Sequence, residues 1–139
     1  KMPNSIATGV AYADPLFTTC YASQEIGYGA DAQGTVTQAT SKSTGVTLNK
    51  SAGRITMNAA ALAGGAAVAF TLTNSLISTN DTIVLSISGV ATGTMADNTA
   101  YTAYCSLLSA GSAVIVLRNL SGTSRSEDVI INYSIIHGA

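Results

Sequence analysis

The side chains that could carry acid–base or nucleophilic chemistry are few in this sequence. His137 is its single histidine, and it directly follows an apolar segment that ends at Ile136. A catalytic serine or cysteine would need this histidine as its general base. No serine lies in a Gly-x-Ser-x-Gly nucleophile elbow. We therefore interpret His137 as a polar residue at the end of the last strand, and we expect no enzymatic activity.

Seven carboxylates are spread along the chain, and two of them would suit glycoside hydrolysis if they faced each other across a sugar. Three of the seven lie beside Asn or Ser, where the capping of turns is their ordinary role. Asp97 and Asn98 fall in a Gly-rich loop that could bind calcium, but the repeated Asp/Asn spacing of a loop site is missing. We expect a turn there and predict neither a metal nor another cofactor. The carboxylates are Asp14, Glu25, Asp31, Asp81, Asp97, Glu127 and Asp128.

The two cysteines, Cys20 and Cys105, are far apart and form no Cys-x-x-Cys motif, which indicates neither a zinc site nor a redox pair. A single disulfide between them stays open as an alternative. No basic segment followed by an apolar one predicts a signal peptide. We therefore expect two small, buried, reduced thiols.

Charge is scarce in this chain. Charged residues make up 9% of it, against roughly 25% in an average soluble protein. Either a surface rich in Ser, Thr and Asn keeps the protein soluble, or partners cover much of the surface; we favour the second, because burial between subunits relaxes the need for charge. The net charge of −1, without a basic cluster, argues against nucleic-acid binding. No apolar stretch approaches the ~20 residues of a membrane span.

From Thr35 onward the sequence alternates apolar and polar residues or runs through β-branched ones, as strands do. Turn signals rich in Gly, Asn, Asp and Ser separate these segments. The pattern predicts an all-β body over residues 35–139, an antiparallel sandwich or jelly-roll-like barrel of about seven or eight strands. Residues 58–64 could form one helical turn but are too short for an independent helix. We interpret them as a connection that crosses between sheets.

Residues 1–34 form a second region, an irregular N-terminal arm. They show no strand or helix period and contain both prolines, yet they hold four of the eight aromatic residues. A disordered linker would be depleted in aromatics. We therefore predict that the arm becomes ordered by lying on its own domain, a neighbouring copy or another protein. Its predicted anchors are Tyr12, Phe17, Tyr21 and Tyr28.

Two further aromatics, Tyr101 and Tyr104, could serve as a carbohydrate platform. They are three residues apart and therefore face opposite sides of a regular strand. We expect one of them to face the core.

Three blocks of the body resemble a module of tailed-bacteriophage structural proteins. They are residues 34–50 (GTVTQATSKSTGVTLNK), 53–62 (GRITMNAAAL) and 68–75 (VAFTLTNS). Residues 118–122 and 129–133 look like the rest of the module, so the resemblance covers roughly residues 34–139. Residues 9–15 (GVAYADP) resemble the start of small virion proteins of the decoration type.

This resemblance implies a non-enzymatic virion protein, since the family carries no catalytic residues to transfer. Similar modules occur in head decoration proteins, head fibres and tail fibres. The residues before the module lack the heptad or collagen-like repeat of a fibre shaft, which favours a capsid decoration or cement protein. We expect a homotrimer on the phage capsid surface, made in the bacterial cytoplasm and bound to the major capsid protein or another virion protein through its arm. The alternative is a receptor-binding or fibre-tip module, whose marker would be exposed tyrosines on loops distal from the arm.

Overall fold

The computed structural model describes residues 18–138 and is almost entirely β. The strands fall where alternation and turn residues predict them, so the predicted all-β body is confirmed. A short 3-10 turn, Ala30–Ala32, precedes the first strand. The strands are β1 Gln33–Thr37, β2 Val46–Thr47, β3 Ala52–Thr56, β4 Ala67–Thr73, β5 Thr82–Val90, β6 Tyr101–Ser109, β7 Ser112–Asn119 and β8 Val129–Ile136.

The strands form two four-stranded sheets that face each other as a sandwich. Sheet A has the order β1-β3-β8-β5, and sheet B has the order β2-β4-β7-β6. The predicted antiparallel pairing holds for four pairs, but β1–β3 and β2–β4 pair in parallel. Parallel neighbours need a crossover between them. The chain supplies it by alternating between the sheets from β1 to β4, which the turn signals alone do not reveal.

The core lies between the sheets and is built from every second residue of the central strands. The strand period of two turns these side chains inward. Several are completely buried, so the two sheets pack closely at their centre. The inward residues of β7 are Ala113, Ile115 and Leu117, and those of β8 include Ile131, Tyr133 and Ile135.

The connections gather at the two ends of the sandwich. At one end, here called the distal end, lie residues 38–45, 57–66, 91–100 and 120–128. The opposite end, called the arm end, holds residues 74–81, 110–111 and 137–138. Residues 57–66 connect β3 in sheet A to β4 in sheet B without a helix, which confirms the predicted crossing connection.

Two fully buried asparagines hold these loops from inside. The Asn119 amide nitrogen donates to the carbonyls of Leu62, Ala63 and Thr123, which joins two distal loops. At the arm end, the Asn74 amide donates to the Lys50 carbonyl at 2.7 Å. Buried backbone carbonyls need such partners where no neighbouring strand supplies them.

Gly64 marks the closest approach of two distal loops. A Cβ atom on this residue would lie 2.5 Å from the Gly122 carbonyl carbon, which is backbone and cannot rotate away. Gly122 itself has open space where its own Cβ would be. The two glycines therefore form a matched pair, one constrained and one free.

We expect Gly64→Ala to lower the free energy of unfolding by about 1–3 kcal/mol, because the loops must separate to admit the methyl group. Gly122→Ala should leave stability within about 0.5 kcal/mol of the wild type. Urea unfolding followed by far-ultraviolet circular dichroism measures both. Equal stability of the two variants would contradict the close packing of these loops.

Candidate functional site

The predicted arm anchors divide into three groups in the structure. Tyr12 and Phe17 lie outside the described residues. Tyr21 is 91% exposed, so no residue of the described range 18–138 buries it. Tyr28 lies against the body, because its hydroxyl donates to the main-chain carbonyl of Ile135 near the end of β8. The chain thus brings one of the anchors to its own domain and presents another to the outside.

The junction of arm and body is held by side chains that bond to main-chain carbonyls before and within the 3-10 turn. The side-chain amide of Gln33 donates to the Tyr28 carbonyl at 2.8 Å, and the Lys50 ammonium donates to the Asp31 carbonyl at 2.8 Å. Gln33 and Gly34, which the sequence division assigns to the arm, are the first residues of β1. The ordered attachment therefore reaches back to Tyr28, and residues 18–27 are exposed.

A shallow apolar groove of about 510 Å³ lies at this junction. Ile26, Tyr28 and Ile136 line it, and His137 stands at its margin. Ile26 is 87% exposed, so the arm carries an aliphatic side chain in solvent directly before the anchored tyrosine.

His137 follows β8, as the sequence predicts, and lies beside a buried carboxylate. Its Nδ1 is 3.3 Å from Asp81 Oδ2. Asp81 also accepts from the Ser78 amide and hydroxyl and from the Gly138 amide. These hydrogen bonds, the largest contribution being that of the Ser78 amide, lower the pKa of Asp81 to about 2. In a Ser-His-Asp relay the imidazole lies between serine and carboxylate; here the carboxylate lies in the middle and clasps the chain after β8.

The distal end gathers five charged side chains: Lys42, Asp97, Arg125, Glu127 and Asp128. Arg125 is their centre, because its guanidinium lies 3.4 Å from Asp97 and 3.7 Å from Glu127. Its backbone also pairs with that of Leu62. One arginine thus connects three of the distal loops, residues 57–66, 91–100 and 120–128.

The carboxylates of this cluster cap main-chain amides. Asp97 accepts from the Thr99 amide and hydroxyl, so the predicted turn is present. Asp128 accepts from the amides of Ala91 and Thr92. Thr99 lowers the pKa of Asp97, and Thr92 lowers that of Asp128. The charges therefore organise the loops instead of facing outward.

Lys42 is a buried lysine that the sequence analysis missed. Its ammonium donates to the carbonyls of Asn58 at 2.6 Å and Glu127 at 2.5 Å. Burial lowers the pKa of this amine, while Asp128 and Glu127 act in the opposite direction. A lysine between turn residues gives no sequence signal for burial, since that depends on carbonyls far away in the chain.

Tyr101 and Tyr104 face opposite sides of β6, as predicted. Tyr101 is 8% exposed and belongs to the core, whereas Tyr104 is 50% exposed. Burial, together with the neighbouring Glu127 carboxylate, raises the pKa of Tyr101. The hydroxyl of Tyr101 and Oε2 of Glu127 are both buried without a partner at full hydrogen-bond geometry.

The cysteines differ from the expectation in one respect. Both are free, but Cys20 is exposed and Cys105 is only partly buried, so the prediction of two buried thiols is wrong. Cys20 precedes the ordered junction, where no body residue covers it. Cys105 lies on β6, an edge strand that only one neighbour flanks.

A β-bulge on β6 creates an apolar surface that the sequence does not announce. Cys105 pairs with Ile115 and Leu107 pairs with Val114, which leaves Ser106 as an extra residue. Without the bulge, Tyr104 and Leu107 would face opposite sides; with it, both lie on the outer face of sheet B. We call Tyr104, Leu107, Val114 and Val116 the β6 patch, because Tyr104 pairs with Val116 and Leu107 with Val114.

Comparison with known proteins gives no further guide. No family model matches the chain, and neither a curated protein nor a solved structure matches it. Within residues 18–138, no group of three or more His, Cys, Asp or Glu side chains could hold a metal ion. The same residues contain no helix long and apolar enough to cross a membrane.

The clasp around Asp81 predicts a specific acid sensitivity. Its pKa lies below the ordinary 3.8, so the ionised form is favoured in the folded state. The stabilisation is complete above the ordinary value and is lost as pH falls through about 2. Asp81→Asn should therefore lower Tm at pH 7, and the Tm difference from the wild type should shrink below about pH 4.

Thermal melts between pH 7 and pH 2 test this expectation. The other carboxylates are unchanged in the variant, so the difference between the two curves isolates Asp81. A constant Tm difference across the range would show that the clasp does not depend on the charge of Asp81.

Proposed function

We propose that this chain is a non-enzymatic structural protein of a phage virion, a decoration or cement protein of the capsid. In this proposal the arm attaches to the major capsid protein or another virion protein, and the β body assembles as a homotrimer on the capsid surface. The similarity of residues 34–139 to phage virion modules supports the setting. The low content of charged residues, 9%, supports extensive contact with partners.

The proposed attachment rests on one observation, which is that the arm exposes large hydrophobic side chains before Tyr28. Tyr21 and Ile26 are 91% and 87% exposed, yet both are large hydrophobic side chains. Burying one such side chain contributes roughly 1.5–3 kcal/mol, and aromatic side chains are frequent anchors of interfaces. Tyr28 attaches this exposed segment to β8. A segment that is attached to a folded body and exposes large hydrophobic side chains is suited to dock on a second protein.

The arrangement of the two ends favours decoration over receptor binding. Tyr28 and residues 18–27 belong to the arm end, so the distal loops point away from the proposed attachment. These loops contain no aromatic residue. The exposed Tyr104 lies on a strand and not on a distal loop. The marker of a fibre tip is therefore absent from the loops of the described part of the chain.

The test of attachment is a deletion of residues 1–27, which keeps the Tyr28 anchor and β1. We expect the shortened protein to keep the circular dichroism of a folded β body, because the strands begin at Gln33. We expect it to lose binding to phage heads assembled without this chain, measured by co-sedimentation. Tyr21→Ser should weaken binding by about tenfold, since one anchor is lost.

Leu120→Ser is the matched control for the point substitution. Leu120 is also a large hydrophobic side chain exposed on the surface, at 54%, but it lies at the distal end. It should bind heads as the full chain does. Undiminished binding by the deletion variant would refute the arm as the attachment, and failure of the full chain to bind would refute the capsid assignment.

A further inference from the structure

The two long sides of the sandwich differ sharply. On one side the edge strands are β1, with five residues, and β2, with two. On the other side they are β5 and β6, with nine residues each, the longest strands of the described chain. Soluble proteins protect long edges with charges, prolines or a covering element. We call strands β5 and β6, with the groove between them, the β5–β6 side.

Neither β5 nor β6 contains a charged residue or a proline, and the one charged side chain that lines the groove between them, Asp81, is buried. The strands read TIVLSISGV and YTAYCSLLS. Each carries a bulge, between Ile87 and Gly89 and between Cys105 and Leu107, and these are the only edge-protecting devices of the two strands. A bulge disturbs backbone pairing but does not cover apolar side chains.

The inward side chains of this side are incompletely covered. Ile83, Leu85 and Ile87 of β5 are only partly buried, although they pack on the core. Ala103, Cys105 and Leu108 of β6 are in the same state. A groove of about 500 Å³ opens between the strands near the arm end. The edge of the core is therefore accessible along this side.

Exposed hydrophobic side chains continue around the same side onto both outer faces. Leu107 of the β6 patch is 58% exposed, and Val84 of β5 is 46% exposed. By contrast, the outward residues of β1 are Gln33, Thr35 and Thr37. Of the two pairs of edge strands, only the longer pair therefore carries exposed large hydrophobic side chains.

The size of this surface suits a subunit contact. A nine-residue strand is roughly 30 Å long, and the sheets of a sandwich lie about 10 Å apart. The outer face of β6 and β7 adds two strand spacings of about 4.8 Å, so the strip measures on the order of 600 Å². A standard interface covers about 800 Å² per partner.

The absence of charge selects the partner. Strands β5 and β6 contain no charged side chain, so they can lie against the same strands of an identical copy without repulsion between like charges. A charged partner would gain no complementary contact from β5 or β6. The occupant that fits is a second copy of this chain.

We propose that the β5–β6 side, which includes Leu107, is the surface through which one copy of the protein contacts the next. This inference rests on the proposed self-assembly and assigns it a location. The arm end then stays free for attachment to another virion protein.

The experiment compares two leucines of nearly equal exposure. Leu107 is 58% exposed on β6, and Leu120 is 54% exposed at the distal end. Sedimentation equilibrium at micromolar concentration is run on the full-length wild type, Leu107→Lys and Leu120→Lys. We expect an oligomeric wild type, a dissociation constant raised at least about tenfold by Leu107→Lys, and no change for Leu120→Lys.

Val84→Lys on β5 provides a second variant, and it should weaken association in the same way. Hydrogen exchange adds a readout: amides of β5 and β6 should exchange more slowly in the wild-type oligomer than in the Leu107→Lys protein at equal concentration. Circular dichroism verifies that each variant is folded.

The outcomes separate the two proposals. A wild type that is monomeric throughout would overturn the self-assembly and this surface with it. If the wild type associates and both Leu107→Lys and Val84→Lys associate as strongly as it does, the self-assembly stands and only the proposed surface is overturned. Exchange rates of β5 and β6 that do not change with assembly would also overturn only the surface.

Discussion

The structure depends on a small set of buried polar side chains that bond to main-chain groups of the loops. Gln38, Lys42, Asn74, Asp81 and Asn119 are all buried. Each forms hydrogen bonds with main-chain groups of the loops. For example, the side-chain amide of Gln38 donates to the carbonyls of Lys42 and Thr44. An unpaired buried carbonyl or amide costs about 1–3 kcal/mol. These side chains therefore decide which loop conformations are compatible with the packed sheets.

The same use of polar side chains to hold loops explains why the surface carries little charge. Because Arg125, Asp97, Glu127 and Asp128 cap and connect loops, little charge is left for solvent. Sheet A is covered outside by residues such as Thr35, Thr37 and Asn132, which hydrate without charge. The β6 patch has neither charge nor this polar cover. One part of the surface of this protein is therefore polar, and another part is apolar.

The sequence predicts the strands well because their signal is local. The alternation in β4 and the apolar run of β8 are sufficient to locate them, and the turn at Asp97 follows from short polar residues. Partners far away in the chain are not local: the burial of Lys42 depends on the carbonyls of Asn58 and Glu127. The parallel pairs depend on which sheet each strand joins, and the bulge at Ser106 moves Leu107 to the face of Tyr104. Such features arise only when the whole chain is assembled.

The position of β8 in the chain has a consequence for folding. The four strands of sheet B all precede β8 in the chain, and β5 has no neighbour in sheet A except β8. Without residues 129–136, β3 and β5 stay separated and the inner face of sheet B is incompletely covered. A chain that lacks β8 therefore leaves Ile115 and Leu117, which the complete fold buries, accessible to water. A premature stop before β8 would leave a polypeptide destined for proteolysis or aggregation.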